Sequence, residues 1–228
     1  MKNTKYIILA IIILISACGK IPESVTGNYN GHDFVDMGTS VMWATCNVGA
    51  QMPTEYGDYV AWGEIESKEY YAWKSYKYGY STNSLTKYCT KSEFGNVDNL
   101  LVLQPEDDYA FIKWGEKWRT ATKEEWDELF QTCEHKYIIS STGRKGYLVT
   151  AKNGNQIFLP LDGGKIFDYP DETRNKWGHY WTASIVEEDP YNAWCLFLTD
   201  NSDDKELATY TTPSRCWGFS VRAVFSKD

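Results

Sequence analysis

Two kinds of hydrophobic pattern divide the chain: one continuous apolar run at the start, and short periodic or alternating runs after it. Residues 6–15 are apolar without a break, which is too short for the roughly 20 residues that cross a bilayer as a helix. Two lysines precede the run, and the small residues Ser16 and Ala17 follow it. This order is typical of an export signal peptide, which the sequence predicts over residues 1–17.

Helical spacing is clearest in one later segment. Thr122 is followed three residues later by Glu125, the spacing of a capping box, in which each side chain bonds the backbone N–H of the other residue. Apolar side chains then recur at helical spacing, at Trp126, Leu129 and Phe130. A second helix is predicted to start at Pro105, because proline suits a first turn and the acids after it favour the helix dipole.

Short apolar runs bounded by turn residues predict strands. The clearest pair is 146–151 and 156–159, because Asn153-Gly154 between them is a strong hairpin signal. Further strands are predicted at 34–37, 41–44, 57–63, 180–184, 193–198 and 218–225. Two helices among many short strands predict an α+β fold with mostly antiparallel sheets.

Cys18 follows the predicted signal peptide directly. Ile15-Ser16-Ala17-Cys18 resembles a lipobox, after which bacterial lipoproteins are acylated on the cysteine and cleaved. The resemblance implies a lipid at Cys18, palmitate included, and a membrane as partner, since several acyl chains anchor a protein stably. Inner-membrane lipoproteins often carry Asp at the next position, where this chain has Gly19. We therefore expect the outer membrane, on its periplasmic side or at the cell surface. The alternative is an ordinary signal peptide with an incidental Cys18.

The mature chain is predicted to contain a tether and one domain. Residues 18–31 are polar without periodicity after Cys18, which indicates a flexible tether. Residues 32–228 hold no linker, and their length suits one domain. Without residues 1–17 the chain has 21 basic and 31 acidic side chains, a formal net charge of −10. Nucleic acid is excluded as a partner, because phosphate backbones need clustered Lys and Arg.

Five more cysteines would lie in an oxidising compartment after export, where disulfides persist. Cys195 and Cys216 lie in two late apolar segments that we expect to pair as neighbouring strands, so a disulfide is predicted between them. The pairing of Cys46, Cys89 and Cys133 stays open. No zinc-type spacing occurs, and neither metal nor cofactor is predicted. The acidic runs 187–190 and 200–204 are interpreted as solvated turns, with calcium as the alternative.

Aromatic residues are abundant: 17 Tyr, 10 Trp and 9 Phe. Six of them fall within residues 69–80, which have neither a helical nor a strand period. We interpret this segment as an irregular surface loop, and Tyr71, Trp73 and Tyr76 as candidate ligand-binding side chains near the loops 187–191 and 200–204. Packing of these rings in a core or within the loop is nevertheless the interpretation that we favour over ligand binding.

The chain resembles the Fibrobacter succinogenes major paralogous domain family, in blocks that occur in the same order over residues 32–225. These blocks are Phe34-Val35-Asp36-Met37-Gly38, Val41-Met42-Trp43-Ala44-Thr45-Cys46-Asn47-Val48-Gly49-Ala50, Ala61-Trp62-Gly63-Glu64, Pro105-Glu106-Asp107-Asp108, Thr122-Lys123-Glu124-Glu125-Trp126, Tyr180-Trp181-Thr182-Ala183-Ser184 and Gly218-Phe219-Ser220-Val221-Arg222. The resemblance implies a C-type-lectin-like fold, with two helices and short twisted antiparallel sheets.

Formylglycine-generating enzymes share that fold. Their Arg-x-Pro-Thr-x-x-Glu-Trp signature is similar to residues 119–126 here, with Ala121 in place of the proline. The likeness implies an alternative function, an oxidase that holds copper through Cys195 and Cys216. Arg119 and Arg222 stand beside large apolar residues in conspicuous motifs, and we interpret both as structural.

The function predicted from these features is a non-enzymatic binding or adhesive module on the outer membrane, with a glycan or surface-protein ligand. A structural surface protein without a ligand is a further alternative. No catalytic residue is assigned, because the three histidines come with no nucleophile elbow or zinc-protease motif. A carboxylate pair for glycoside hydrolysis stays open, since its spacing is invisible in sequence.

The lipid anchor can be tested by one substitution. Cys18→Ser removes the thiol that would carry the acyl chains, so we expect the protein to leave the membrane fraction or to stay unprocessed. Fractionation of cells with detection of the chain measures this. An unchanged membrane pool that only detergent extracts would contradict the lipoprotein prediction.

Overall fold

A computed structural model describes residues 21, 24–168, 173–200 and 208–227. The predicted signal peptide, Cys18 and positions 201–204 lie outside the described residues. The strands are β1 Gly27–Tyr29, β2 His32–Val35, β3 Val41–Ala44, β4 Trp118–Thr120, β5 Glu134–Ile139, β6 Lys145–Thr150, β7 Gln156–Pro160, β8 Trp177–Ile185, β9 Ala193–Thr199, β10 Ala208–Thr211 and β11 Ala223–Ser226. The helices are α1 Tyr109–Trp114 and α2 Lys123–Thr132, and short 3-10 turns occupy Trp73–Ser75 and Pro105–Asp107.

The strands form three small antiparallel sheets among the described residues. One has five strands in the order β1-β2-β3-β11-β4, and the others have the orders β10-β9-β8 and β5-β6-β7. The predicted α+β class is thus confirmed. The five-stranded sheet brings the two ends of the described chain together, because β11 lies between β3 and β4.

Both predicted helices are present, and α2 begins as expected. The Thr122 hydroxyl accepts a hydrogen bond from the Glu125 N–H at 3.3 Å, and the Glu125 carboxylate accepts from the Thr122 N–H at 2.8 Å. The start predicted at Pro105 is a 3-10 turn, and α1 begins four residues later. Asp108 ends that turn and caps α1, because its carboxylate accepts from the Ala110 N–H at 2.9 Å.

The predicted hairpin is confirmed as β6 and β7, with Gly154 in the turn at a φ of 88°. The strand predicted at 57–63 is wrong. Gly57 and Gly63 have φ values of 75° and 78°, which interrupt an extended backbone, and only Val60 forms a bridge, with Phe219. The strand predicted at 218–225 is present only at its end, where β11 covers Ala223–Ser226, while Gly218, Phe219 and Ser220 form isolated bridges.

The segment just before β2 is bonded to the fold. β1 pairs with β2, with Gly27 opposite Phe34 and Tyr29 opposite His32. The Trp118 indole N–H also donates to the Tyr29 carbonyl at 3.2 Å. Gly27–Tyr29 therefore belong to a strand ladder, although they fall within the segment predicted as a tether.

The hydrophobic core consists of two clusters of buried side chains, rich in large aromatic rings. One cluster contains Trp62, Trp118 and Trp181. The other contains Trp43, Trp126 and Tyr180, and the rings of Trp43 and Trp126 lie 4.6 Å apart between centroids. Aromatic rings bury large areas and gain further from tilted contacts of this kind, which explains why so many fit one domain.

Arg222 is fully buried in this core. Its guanidinium donates three hydrogen bonds of 2.9 Å, to the Asn47 side-chain oxygen and to the carbonyls of Ala44 and Phe158. Burial lowers the pKa of Arg222 from its ordinary value. The Asn47 amide nitrogen lies 3.4 Å from the carboxylate of Asp162, which is also buried. Asn47 therefore stands between a buried cation and a buried anion.

Arg119 is bound differently, although it is also structural. Its guanidinium forms a two-point ion pair with Glu125 of α2, in which one N–O distance is 2.7 Å, and the side chain keeps 35% exposure. Both arginines thus bond within the fold, the role that the sequence predicts.

Arg222→Met should lower the free energy of unfolding by about 3 kcal/mol or more, because three buried acceptors lose a charged donor. Arg119→Met is the matched control, and we expect it to cost about 1 kcal/mol, since its ion pair is partly solvated. Urea denaturation of the purified variants measures both. Equal costs for the two substitutions would contradict the role assigned to Arg222.

Candidate functional site

The aromatic loop predicted to bind a ligand is mostly buried. Tyr71 has no exposed surface, and its hydroxyl donates to the Tyr59 carbonyl and accepts from the Lys68 N–H at 3.0 Å. Tyr76 is 6% exposed, and its hydroxyl donates to the Trp62 carbonyl at 2.7 Å. The expectation that Tyr71 and Tyr76 are exposed is therefore wrong.

The physical reason is that tyrosine hydroxyls can satisfy buried backbone carbonyls, so an irregular segment can join a core without a ladder. Burial raises the pKa of Tyr71 to about 12. Trp73 is half-buried and packs edge-on against Tyr76, with ring centroids 5.4 Å apart. Of the three predicted side chains, only Trp73 keeps a partly exposed surface.

A polar cleft lies next to this loop and is the best candidate for a ligand site. We name it the Tyr59 cleft; it has a volume of about 220 Å³ and is lined by Gly57, Asp58, Tyr59, Ser67, Lys68, Glu69, Tyr71, Lys165 and Arg174. Tyr59 and Tyr71 are nearly or fully buried, so their rings form its floor. The charged side chains stand around that floor.

Cations in and beside the cleft are held over tyrosine rings. The Arg174 guanidinium lies 5.5 Å from the Tyr59 ring centroid and 5.1 Å from that of Tyr56, and its Nε donates to the Tyr59 hydroxyl at 3.1 Å. The Lys165 ammonium lies 5.9 Å from the Tyr59 ring centroid, and the Arg144 guanidinium lies 4.4 Å from that of Tyr56. Such contacts orient the cations over the tyrosine rings.

Carboxylates supply acceptors in the same cleft. Asp58 accepts from the Tyr109 hydroxyl at 2.7 Å through one oxygen, and Glu69 is exposed. Lys68 is paired with the nearly buried Glu64 at 2.6 Å. The cleft therefore presents donors and acceptors side by side, and no single sign of charge dominates its lining.

Phe167 and Tyr70, which we call the aromatic rim, lie outside the cleft lining and are joined to it through Tyr71. The backbones of Tyr71 and Phe167 bond each other in both directions, at 3.1 and 2.8 Å. Phe167 has a φ of 58° and a 42% exposed side chain. A left-handed backbone at a bulky residue costs about 1–2 kcal/mol, and such strain clusters at functional sites. Tyr70 adds a second ring, with its centroid 6.2 Å from that of Phe167.

The sequence missed Phe167, Lys165 and Arg174. They come from segments about 100 residues beyond the aromatic loop, and no periodic or motif signal marks them. Tyr59 was placed in a predicted strand. The one available signal was the concentration of aromatic and basic residues near 68–78, which supplies part of the cleft lining and, at Tyr70, one ring of the rim.

Asp107 forms a second polar centre, which the sequence attributed to helix capping. Burial alone would raise the pKa of Asp107, but hydrogen bonds from Lys87 at 2.5 Å and from the hydroxyls of Tyr78 and Tyr88 lower it. Asp108 does the capping instead. Both carboxylate oxygens of Asp107 already have donors, so this centre ties the 77–88 segment to the start of α1.

The predicted disulfide is absent: Cys195 and Cys216 are free thiols, as are the other three described cysteines. Cys195 on β9 pairs with Thr211, and the same register continues to Asn192 opposite Ser214. Cys216 therefore lies beyond the end of β9. Burial raises the pKa of Cys216 to about 12 and that of Cys195 well above its usual value.

Neither acidic run forms a metal site within the described residues. No group of three or more His, Cys, Asp or Glu side chains is placed there to hold an ion. Glu188 pairs with Lys91, and the Glu187 carbonyl accepts from the Thr90 hydroxyl at 2.6 Å. None of the described helices has the length and apolar character needed to span a membrane.

Comparison of the chain with models of known families, with curated proteins and with solved structures finds no match. The geometry of the Tyr59 cleft consists of a tyrosine floor, charged side chains of both signs, and the rim of Phe167 and Tyr70.

Substitutions in the floor and in the rim should change the free energy of unfolding by different amounts. Tyr71→Ala should lower the free energy of unfolding by roughly 3–5 kcal/mol, because it empties a buried ring site. Phe167→Ala removes an exposed ring, so we expect a change within about 0.5 kcal/mol. Thermal or urea unfolding measures both. A neutral Tyr71→Ala would mean that the loop is not part of the core.

Proposed function

We propose that this protein is a non-enzymatic binding module, held on the outer membrane by lipid at Cys18, that binds a saccharide in the Tyr59 cleft. We also propose that its domain has the C-type-lectin-like fold of the Fibrobacter succinogenes major paralogous domain family. The ordered blocks of residues 32–225 support the family, and the α+β architecture is compatible with the fold.

The observation that carries the binding proposal is the pairing of a mixed-charge cleft with a strained, exposed aromatic rim. Sugar hydroxyls both donate and accept hydrogen bonds, so Lys165, Arg174, Asp58 and Glu69 match them better than a lining of one sign would. The apolar face of a sugar ring stacks on an exposed aromatic ring such as Phe167. Sites of this kind combine a few placed polar groups with apolar surface.

The oxidase alternative is weaker on chemical grounds. A catalytic or metal-holding thiol needs a lowered pKa and access to solvent. Cys195 and Cys216 are both buried, and burial raises the pKa of each. Their register also separates them. A binding role needs neither thiol.

The saccharide can be sought with a glycan array that carries neutral and acidic sugars, using residues 19–228 as the probe. For a sugar that binds, Phe167→Ala should weaken affinity by about 2 kcal/mol, the usual loss at an anchor residue. That loss corresponds to roughly thirtyfold at 25 °C. Lys165→Gln should also weaken binding, because it removes a donor from the cleft.

Tyr80→Ala is the matched control, because Tyr80 is 77% exposed but, unlike Phe167, does not bond the backbone of Tyr71 in the cleft. We expect it to leave affinity unchanged. If no sugar on the array binds, or if Phe167→Ala and Tyr80→Ala behave alike, the saccharide proposal fails. A structural surface protein would then be the better interpretation.

A further inference from the structure

A groove lies where the described chain enters the fold, and it carries the most exposed aliphatic side chains described. We name it the N-terminal groove; it has a volume of about 170 Å³, and its apolar lining is Ile21, Val25, Met52, Pro53, Ile157 and Phe158. Val25 is 54% exposed and Met52 is 52% exposed. Every other exposed aliphatic side chain among the described residues has a smaller exposed fraction, and none of those lines this groove.

The chain is fixed to the fold immediately beside this groove. The Ser24 hydroxyl oxygen accepts from the Gln156 N–H at 3.0 Å, and the Thr26 N–H donates to the Phe34 carbonyl at 2.8 Å. Six residue steps separate Ser24 from Cys18, and an extended chain spans at most about 3.5 Å per residue. A lipid on Cys18 would therefore keep the groove within about 20 Å of the membrane.

The lining of the N-terminal groove suits a lipid surface better than that of the Tyr59 cleft does. Among the described residues, Asp33 is the only charged one that lines the N-terminal groove, whereas five charged residues line the Tyr59 cleft. The remaining polar lining is uncharged: Ser24, Thr45, Gln51 and Gln156. Exposed apolar side chains among uncharged polar groups gain free energy when they enter the interfacial layer of a bilayer.

We propose that the N-terminal groove rests on the lipid surface, with Val25 and Met52 inserted into its interfacial layer. The proposal rests on the lipid anchor of the proposed function, and it is independent of the saccharide site. The anchor makes the contact intramolecular, so a weak apolar insertion is sufficient to orient the domain. The protein is then held at two points, the acylated Cys18 and the groove.

The test uses the full lipidated chain in vesicles of phosphatidylethanolamine and phosphatidylglycerol. Its amide hydrogen exchange is compared with that of residues 19–228, which lack the lipid, in solution. We expect several-fold slower exchange over residues 24–26 and 50–55 in vesicles. Val25→Glu with Met52→Glu should abolish that protection, because each places a carboxylate against lipid. Leu101→Glu with Ile112→Glu is the matched control, since both residues are exposed and neither lines the groove.

The outcomes separate this proposal from the anchor. A lipidated chain that does not partition into vesicles defeats the anchor itself. An anchored chain without slower exchange at the groove, or with the same response to both double variants, overturns the groove proposal alone. Protection that rises with the ratio of protein to lipid would show that a second copy covers the groove, which also overturns it.

Discussion

The burial of one guanidinium holds the distant parts of this fold together. Arg222 lies just before β11 and bonds the last residue of β3, the side chain of Asn47 and a carbonyl of β7. These partners belong to two different sheets. A buried cation is costly unless its donors are satisfied, so the position of each partner is constrained by the others. A methionine or lysine cannot make the same three bonds, because neither has a planar array of donors.

Tyrosine side chains also bond buried backbone carbonyls, in the segments that contain no strand. The hydroxyls of Tyr71 and Tyr76 donate to the backbone carbonyls of Tyr59 and Trp62, which lie outside the strands. Asp107 accepts from two further tyrosines, and Lys87 completes its charge balance. Residues 57–107 contain no named strand. The segment is nevertheless packed, because phenol groups combine large apolar area with one polar atom that needs only one partner.

The Tyr59 cleft is a consequence of that packing. The aromatic loop supplies its floor, while Lys165, Phe167 and Arg174 arrive from a later segment that bridges the loop through Tyr71 and Phe167. Because the floor is packed, it can hold a rim residue in a backbone conformation that an exposed segment would not adopt by itself. Phe167 with its left-handed backbone is the clearest instance, since the surrounding bonds must offset the strain. We therefore expect the floor to contribute to the stability of the fold and the rim to contribute to ligand contact.

The sequence by itself determined the elements whose signals are local. The capping box at Thr122, the Asn153-Gly154 turn and the strand at Val41–Ala44 each depend on neighbours within a few residues, and each is present. The α+β class follows from such elements. The lipobox and the ordered family blocks are also local, and the anchor and family that they imply stay predictions.

Only the tertiary structure decided which aromatic rings are buried, which cysteines can meet and where a cleft opens. Tyr71 and Phe167 have similar side chains, yet one has no exposed surface and the other is 42% exposed. The register of β9 with β10 kept Cys195 away from Cys216, although both segments were recognised. Burial and register depend on contacts between residues far apart in the chain, and such contacts leave no periodic trace in a single sequence.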